Sequence, residues 1–447
     1  MIFPPIGAAL GIGVTDVLCA AVSAWAFDLL VCPRFARAGR IGSLAFAVGT
    51  LVQVAVGRVP FLLGQSLALL ALLALRRRGP AWGLLGVALA LAATLASPLA
   101  GLFFALAALA WFLGELPRWS FWVGASVVVA SLPVAALELL FPGQGRMPFA
   151  VLDFAGTLIP LAALIVLLRH RERTLRIGLA LYALLTIGSY AIPTALGVNV
   201  TRLATSVGVG LALCLAARSL RSRLLLALAL VPLVLGQWVP SRSALLAVAN
   251  PARSAAYFEP LLAYLVPHDH PLGRIEVVPL STHWESDYVA LRLPLARGWE
   301  RQLDTADNPI FYDAGRLFAG SYRRWLAHNG VRFVALADAP LDYAGIAEAR
   351  LVSAGVPGLK LVWRSAHWRV YEVLGAPGIV SGAGSLVSER GDSVVLRAQH
   401  PGRLLVRIRY LSSWRVASGD ASLRASSGGW LAVGARRAGR IVLSLSW

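Results

Sequence analysis

Charged side chains are scarce in this chain, at 14% of its 447 residues, where a soluble domain carries about 25%. The charge present is lopsided: Lys360 is the single lysine among 41 basic residues, set against 22 acids for a net charge of +19. So complete an arginine bias reflects a GC-rich genome before any function. Cysteine is almost missing, and Cys19, Cys32 and Cys214 all fall in the apolar first half. That excludes a disulfide framework, a CxxC redox pair and a cysteine-based zinc site. With 58% hydrophobic residues and a mean hydropathy of +0.70, one ordinary soluble enzyme is excluded as well. A basic excess on so apolar a frame indicates membrane topology, with no nucleic acid expected as a partner.

Residues 1–240 are a series of apolar runs at 6–31, 41–56, 61–75, 81–97, 99–113, 121–140, 151–168, 177–193, 203–217 and 224–239, broken by arginine clusters or Gly/Pro turns. They predict about ten membrane-spanning helices, several of them short of the roughly 20 residues a span needs. Arginines occupy every second connection: Arg34, Arg37 and Arg40; Arg76, Arg77 and Arg78; Arg118; Arg169, Arg171, Arg173 and Arg176; then Arg218, Arg221 and Arg223. The intervening connections hold only Arg58, Arg146 and Arg202. By the positive-inside rule the arginine-rich side is cytoplasmic, which puts the second half outside the inner (plasma) membrane. Met1 falls outside by the same parity, with neither a basic leader nor a signal peptide. The expectation is a chain shortened at its N-terminus by at least one helix and the exported loop after it.

Long apolar runs are missing from residues 241–447. Short β-rich runs (274–279, 331–336, 360–363, 368–374) alternate with helix-like stretches at 315–328 and 345–354, the pattern of a small α/β domain within 241–376. From 377 to 447 the texture is all-β, with runs at 394–398, 404–410, 414–417, 430–434 and 440–445 between Gly-rich turns, as in a β-sandwich.

Acids are also rare in the apolar half. Asp16 is the one deep in an expected span, where burial is costly and usually functional. Glu138 and Asp153 flank the loop that carries Arg146, while Glu115 and Glu172 sit in arginine-rich connections and balance charge. A glycosyl transfer needs a carboxylate base and positive charge on the leaving phosphate. Asp16, Glu138 and Asp153 are the only acids here that could supply the first, and none stands in a persuasive motif. The second need suits Arg58, Arg146 and Arg202, because a guanidinium at headgroup depth grips phosphate oxygens bidentately. In the second half, His283, Trp284 and Glu285, then Arg297, Trp299 and Glu300, form the densest polar-aromatic stretch. That composition suits sugar recognition, and equally a surface packed on other protein. His268-Asp269-His270 has metal-like spacing but reads as a solvated loop.

Gly57-Arg58-Val59-Pro60-Phe61 with Leu63-Gly64, the run to Arg76–Arg78, Ala96-Ser97-Pro98-Leu99-Ala100-Gly101-Leu102, Phe141-Pro142-Gly143-Gln144-Gly145 and Pro148-Phe149 resemble GT-C superfamily glycosyltransferases. The second half resembles the exported tail of uncharacterised high-GC bacterial membrane proteins of that type, through His283-Trp284-Glu285, 295–304, Asn308, Phe311-Tyr312-Asp313, 362–365 and His367-Trp368. Tyr410–Gly419 and Gly428–Val433 are similar to the terminal β-domain of YfhO-like membrane proteins. The resemblance implies a sugar taken from a polyprenyl-phosphate donor and passed, on the exported face, to a cell-envelope glycan or lipid acceptor. It leaves a divalent metal open, since some GT-C enzymes use one and others do not. Members carry their catalytic acid in the first exported loop, and this sequence begins beyond the matching position, so no residue here is matched to that acid. The alternatives are a multi-pass transporter or flippase, and a non-catalytic envelope assembly or glycan-binding membrane protein.

Overall fold

The computed structural model describes residues 2–115, 120–140, 145–168, 172–215, 220–269 and 272–446. Arg118, Arg169, Arg171, Arg218, Phe141–Gln144 and His270 lie outside the described residues. The chain divides into two units, Met1–Leu246 and Ala247–Trp447.

The first unit is helical throughout: α1 (Phe3–Leu10), α2 (Ile12–Ala55), α3 (Val59–Arg76), α4 (Pro80–Ala96), α5 (Pro98–Glu115), α6 (Ser120–Leu140), α7 (Val151–Leu168), α8 (Arg173–Ala191), α9 (Val209–Cys214) and α10 (Leu220–Val248). Among the described residues eight helices are long and apolar enough to cross a membrane; α4, at 17 residues, falls just short of that length. The chain is a membrane protein with several such helices. The 44 residues of α2 would reach about 66 Å if straight, twice the hydrocarbon thickness. They are not straight. Pro33 removes a helical donor, and Ala36 adopts φ 50°, ψ −121°, a conformation costly for a residue with a Cβ. Beyond it the chain doubles back: Phe46 stacks on Phe27 with centroids 4.1 Å apart. A Cβ on Gly39 would lie 2.9 Å from the Cα of Cys32. This hairpin is why the sequence has two apolar runs where the helix is continuous, with Arg34, Arg37 and Arg40 around its bend. At the other boundary α10 runs to Val248, eight residues past the expected end of the apolar half at 240, with Pro232 and Pro240 inside it.

Small residues set the helix spacing, as expected where lipid offers no hydrophobic drive to association. A Cβ on Gly64 would meet the Ala100 Cβ at 2.6 Å and the Ala93 carbonyl at 3.0 Å, and one on Gly42 would meet Gly210 O at 2.4 Å. The α4–α5 reversal takes one residue, Ser97, because Pro98 starts the next helix without a backbone donor to satisfy.

The described residues of alternate connections make two separate sets of contacts. In one set Arg34 bridges Glu172 (2.8 Å) and Glu115 (3.2 Å), Thr174 donates to Glu115, and Arg76 donates to Leu30 O. Glu115 and Glu172 thus do balance charge. In the other the Arg58 turn meets Arg202, and Met147 N donates to Thr194 O at 3.0 Å.

The second unit opens with a four-stranded sheet in the order β1 (Arg274–Val277), β2 (Val331–Ala337), β4 (Trp368–Val373), β3 (Leu359–Arg364). The β1–β2 pair is parallel and the other two are antiparallel. Strand alternation in β2 divides the core: Phe333, Ala335 and Ala337 face Phe258, Leu261 and Leu265 of α11 (Ala255–His268). Val334 and Leu336 face Tyr322 and Leu326 of α14 (Ala319–Asn329) and Val352 of α15 (Tyr343–Ala354). Short helices α12 (Glu285–Tyr288) and α13 (Arg301–Asp307) lie in the β1–α14 connection. Two four-stranded antiparallel sheets follow. One runs β10 (Ala421–Ala425), β11 (Trp430–Ala435), β8 (Gly402–Arg409), β5 (Val380–Gly382); the other runs β6 (Gly384–Arg390), β7 (Ser393–Ala398), β12 (Gly439–Leu445), β9 (Trp414–Ser418). Their facing residues, Leu404, Val406 and Leu431 against Leu396, Ile441 and Leu443, share one core.

Candidate functional site

Arg58 is held by the turn that starts α3. Gly57 takes φ 72°, a region open to glycine without cost. Arg58 N then donates to Gln53 O (3.1 Å) and its Nη1 to Gln53 Oε1 (3.3 Å). Arg202 follows a 3₁₀ turn, Gly197–Thr201, and leads into a π-helical turn, Ala204–Gly208, a local geometry common at functional sites. Tyr182 fixes that junction, donating to Val200 O at 2.7 Å and accepting from Ala204 N at 3.1 Å. An edge-to-face chain Phe61–Phe103–Tyr182, with centroids 6.1 and 6.4 Å apart, ties the two turns together. The result is two half-buried guanidinium groups close enough to repel each other. No carboxylate among the described residues pairs with either. Arg146 is exposed on the adjoining loop.

A largely apolar cavity of about 370 Å³ is lined by Phe61 and Gln65, which follow Arg58, by Leu203 and Ser206, which follow Arg202, and by Phe103, and it reaches Trp111; neither Arg58 nor Arg202 lines it. Arg34, Arg76, Glu115 and Thr174 also border it. A smaller cavity of about 190 Å³ adjoins it, touching Tyr182 and Leu233.

The three carboxylates weighed as catalytic do not join this site. Asp16 is buried in α2 at 6% exposure, its Oδ1 without a hydrogen-bond partner among the described residues. Glu138 and Asp153 are exposed near the ends of α6 and α7. The described part of the arginine site therefore offers charge stabilisation and apolar neighbours, with no base beside it.

The polar stretch of the second unit is sorted differently from its sequence order. Arg297 is no surface ligand-binder: its side chain is 2% exposed and bidentate to Asp304, with Nη2–Oδ2 at 2.9 Å. Its Nη1 also reaches Glu348 (3.0 Å) and Glu276 (3.6 Å), and its plane lies 3.7 Å over the Phe311 ring. Three acids from β1, α13 and α15 required a buried cation, and Arg297 is it. Burial pushes the Glu276 carboxyl well up, and the Glu348 charge adds to this against Arg297; burial also raises Glu348 itself. Tyr322 donates to Glu348 (2.7 Å), Tyr312 to Asp304, and Asn308 to Asp304 (2.8 Å), so the cluster is a structural knot. Trp284 stacks on Tyr288 at 5.5 Å, and Glu300 precedes α13 as an exposed residue.

His283, Glu285 and Trp299 do converge, with Arg301 of the same polar-aromatic stretch and with Asp342, which the sequence did not single out. The segments after β1 and β2 run side by side, with Ser281 N donating to Pro340 O and Asp342 N to Pro279 O, both at 2.9 Å. That brings His283 Nε2 within 3.6 Å of Asp342, while its Nδ1 lies 3.3 Å from Glu285. Arg301 donates to Asp342 (2.7 Å) and to Tyr312 OH (2.7 Å), and sits 4.5 Å over the exposed Tyr343 ring. The Trp299 ring stands 6.4 Å from His283 and is 58% exposed. Burial would lower the His283 pKa, but Asp342 and Glu285 outweigh it and push it up to about 9. Burial likewise opposes ionisation of Asp342, yet His283, the Ala344 amide and Arg301 bring it down to about 2. His283 also takes φ 55°, one of two positive values among described non-glycine residues.

No group of His, Cys, Asp and Glu among the described residues is arranged to hold a metal ion. His268 stacks on Tyr264, with centroids 4.4 Å apart. No family model matches the chain, and no curated protein or solved structure is significantly similar to it.

Proposed function

We propose that the protein is a GT-C-type membrane glycosyltransferase that takes a sugar from a polyprenyl-phosphate donor and passes it to a cell-envelope glycan or lipid. Its arginine-rich end would face the cytosol and its second unit the exported side of the plasma membrane. The observation that carries this reading is that Arg58 and Arg202, from distant parts of the chain, lie close enough to influence each other with no carboxylate partner among the described residues, while their neighbours Phe61 and Leu203 line an apolar cavity. Two fixed cations suit a phosphate whose charge grows as the glycosidic bond breaks, and they cost no reorganisation when it does. The cavity is apolar enough to accept part of the isoprenoid chain. Membrane lipids surround the first unit, and the acceptor would bind the second. The acceptor hydroxyl needs a base, and none of Asp16, Glu138 or Asp153 is placed beside the arginines.

The test is transfer of label from radiolabelled polyprenyl-phosphate sugars, with mannosyl and arabinosyl donors as probes, in membranes that contain the protein. Arg58→Ala and Arg202→Ala should each cut transfer at least a hundredfold with the protein still inserted, and Asp16→Asn should leave it unchanged. Wild-type transfer in both arginine variants overturns the reading.

A transporter or flippase has one specific observation in its favour. Asp16 Oδ1, Ser23 Oγ and both polar atoms of Gln65 are buried along apolar helices without hydrogen-bond partners among the described residues, the kind of site that marks a path through a membrane protein. Lipid or solute translocation in proteoliposomes, lost in Asp16→Asn and unaccompanied by sugar transfer, selects it.

A further inference from the structure

In open α/β sheets, ligands bind outside the carboxyl ends of parallel strands. The only parallel pair among the described strands is β1–β2, and its carboxyl ends lead into Thr282, His283 and Asp342. Three observations there are unexplained by packing. His283 is strained at φ 55°, and such strain collects at functional sites. Thr282 Oγ1 and Glu285 Oε2 on either side of it are buried with no hydrogen-bond partner among the described residues, although Glu285 is only 5% exposed. Trp299 leaves 58% of its surface uncovered beside the His283 ring, and Tyr343 leaves 60%.

We infer that the carboxyl ends of β1 and β2 bind a neutral saccharide, with Trp299 as the stacking platform. Pyranose rings present an apolar C–H face that lies flat on indole, and hydroxyls around their edge that both donate and accept. His283, Arg301 and Asp342, whose side chains keep part of their surface open to solvent, supply donors and an acceptor for them. Charge points to the class: Asp342 and Glu285 are offset by His283 and Arg301, and Glu300, exposed next to Trp299, adds a negative charge, so no net positive charge draws a sugar acid or a phosphate. This deepens the acceptor half of the proposed function and rests on it, while the binding itself needs no donor.

The experiment uses the full chain in lipid nanodiscs, since maltoside detergents carry a competing pyranose. Immobilised gluco-, galacto-, manno- and arabino-oligosaccharides serve as neutral probes, with oligogalacturonate as the acidic one. At least one neutral glycan should bind, weakened tenfold or more by Trp299→Ala and by Asp342→Asn. Trp284→Ala, whose ring is occupied with Tyr288, should change affinity less than twofold. Trp299 is exposed, so its removal does not endanger the fold. Arg58→Ala should abolish sugar transfer and leave glycan binding intact, which separates failure of the donor site from failure of this one. Absence of binding to every neutral glycan, tighter binding of oligogalacturonate, or wild-type affinity in Trp299→Ala overturns the inference.

Discussion

Removing Arg297 would leave Asp304, Glu276 and Glu348 without their shared cation where water is excluded. Breaking a buried ion pair from one side costs about 3–5 kcal/mol. Arg297→Met should therefore lower the melting temperature of the second unit sharply, read as earlier protease cleavage after residue 247 on heating, and Arg297→Lys should recover only part because it cannot pair bidentately. His283 makes a second residue-level prediction with a definite sign. Its pKa rises from 6.5 to about 9 on folding, so between those values the native state holds a proton that the unfolded state has lost. Stability from this group is complete below pH 6.5 and disappears as pH rises through 9. Asp342, lowered from 3.8 to about 2, contributes above pH 3.8 and is lost as pH falls through 2. Protease resistance of the second unit should decline between pH 6.5 and 9, and His283→Gln should flatten that slope. An unchanged slope in the variant would show that the His283 pairs are not maintained in solution.

At the scale of elements, helix crossings depend on glycines with no room to spare. A Cβ on Gly42 would fall 2.3 Å from Cys214 Sγ and 2.4 Å from the Gly210 carbonyl oxygen, and backbone cannot step aside as a side chain can. Gly42→Val should abolish monodisperse protein in size-exclusion chromatography, whereas Gly156→Ala, with nothing within 4 Å, should behave as wild type. The helices themselves were legible in the sequence because hydrophobic runs and arginine clusters are local signals. The α2 bend was marked by Pro33 and three arginines. The true end of α10 was hidden, since Pro240 and Arg242 read as a terminus yet lie within the helix. Strands β5, β6 and β10 were missed because Ser, Gly, Ala and charged residues interrupt any apolar alternation in them and only pairing makes them strands. The candidate sites divide in the same way. That Arg58 and Arg202 share an end was readable from parity; that they meet depends on the Phe61–Phe103–Tyr182 contacts. Arg297 looked like a recognition residue because its three acids lie 7 to 51 positions away, in separate elements. Asp342 carried no local signal, since parallel pairing of β1 with β2 is what delivers it to His283, whereas Arg301 lay in the polar-aromatic stretch with nothing to set it apart from its neighbours.

For the whole molecule, the proposed orientation makes a testable statement about compartments. Arg34, Arg76, Glu115, Glu172 and Thr174 gather at one end of the first unit, joined by hydrogen bonds and ion pairs, while Arg58 and Arg202 meet at the other. Lysine and arginine near helix ends resist translocation, and the proposed orientation rests on this by placing the end that holds most of them in the cytosol. On the proposed orientation an exposed guanidinium such as Arg78 would belong to the cytosolic end, and Ser412, exposed in the second unit, to the exported side. Cys19, Cys32 and Cys214 can be replaced to give a cysteine-free background, and single cysteines introduced as Arg78→Cys and Ser412→Cys. A membrane-impermeant maleimide added to intact cells should label the second and not the first; permeabilised cells should show both. The reverse pattern would put the second unit in the cytosol, where nucleotide sugars are present and a lipid-linked donor is not required. Lipid-carrier chemistry at the Arg58–Arg202 pair would then lose its compartment, and the apolar cavity would need a different occupant.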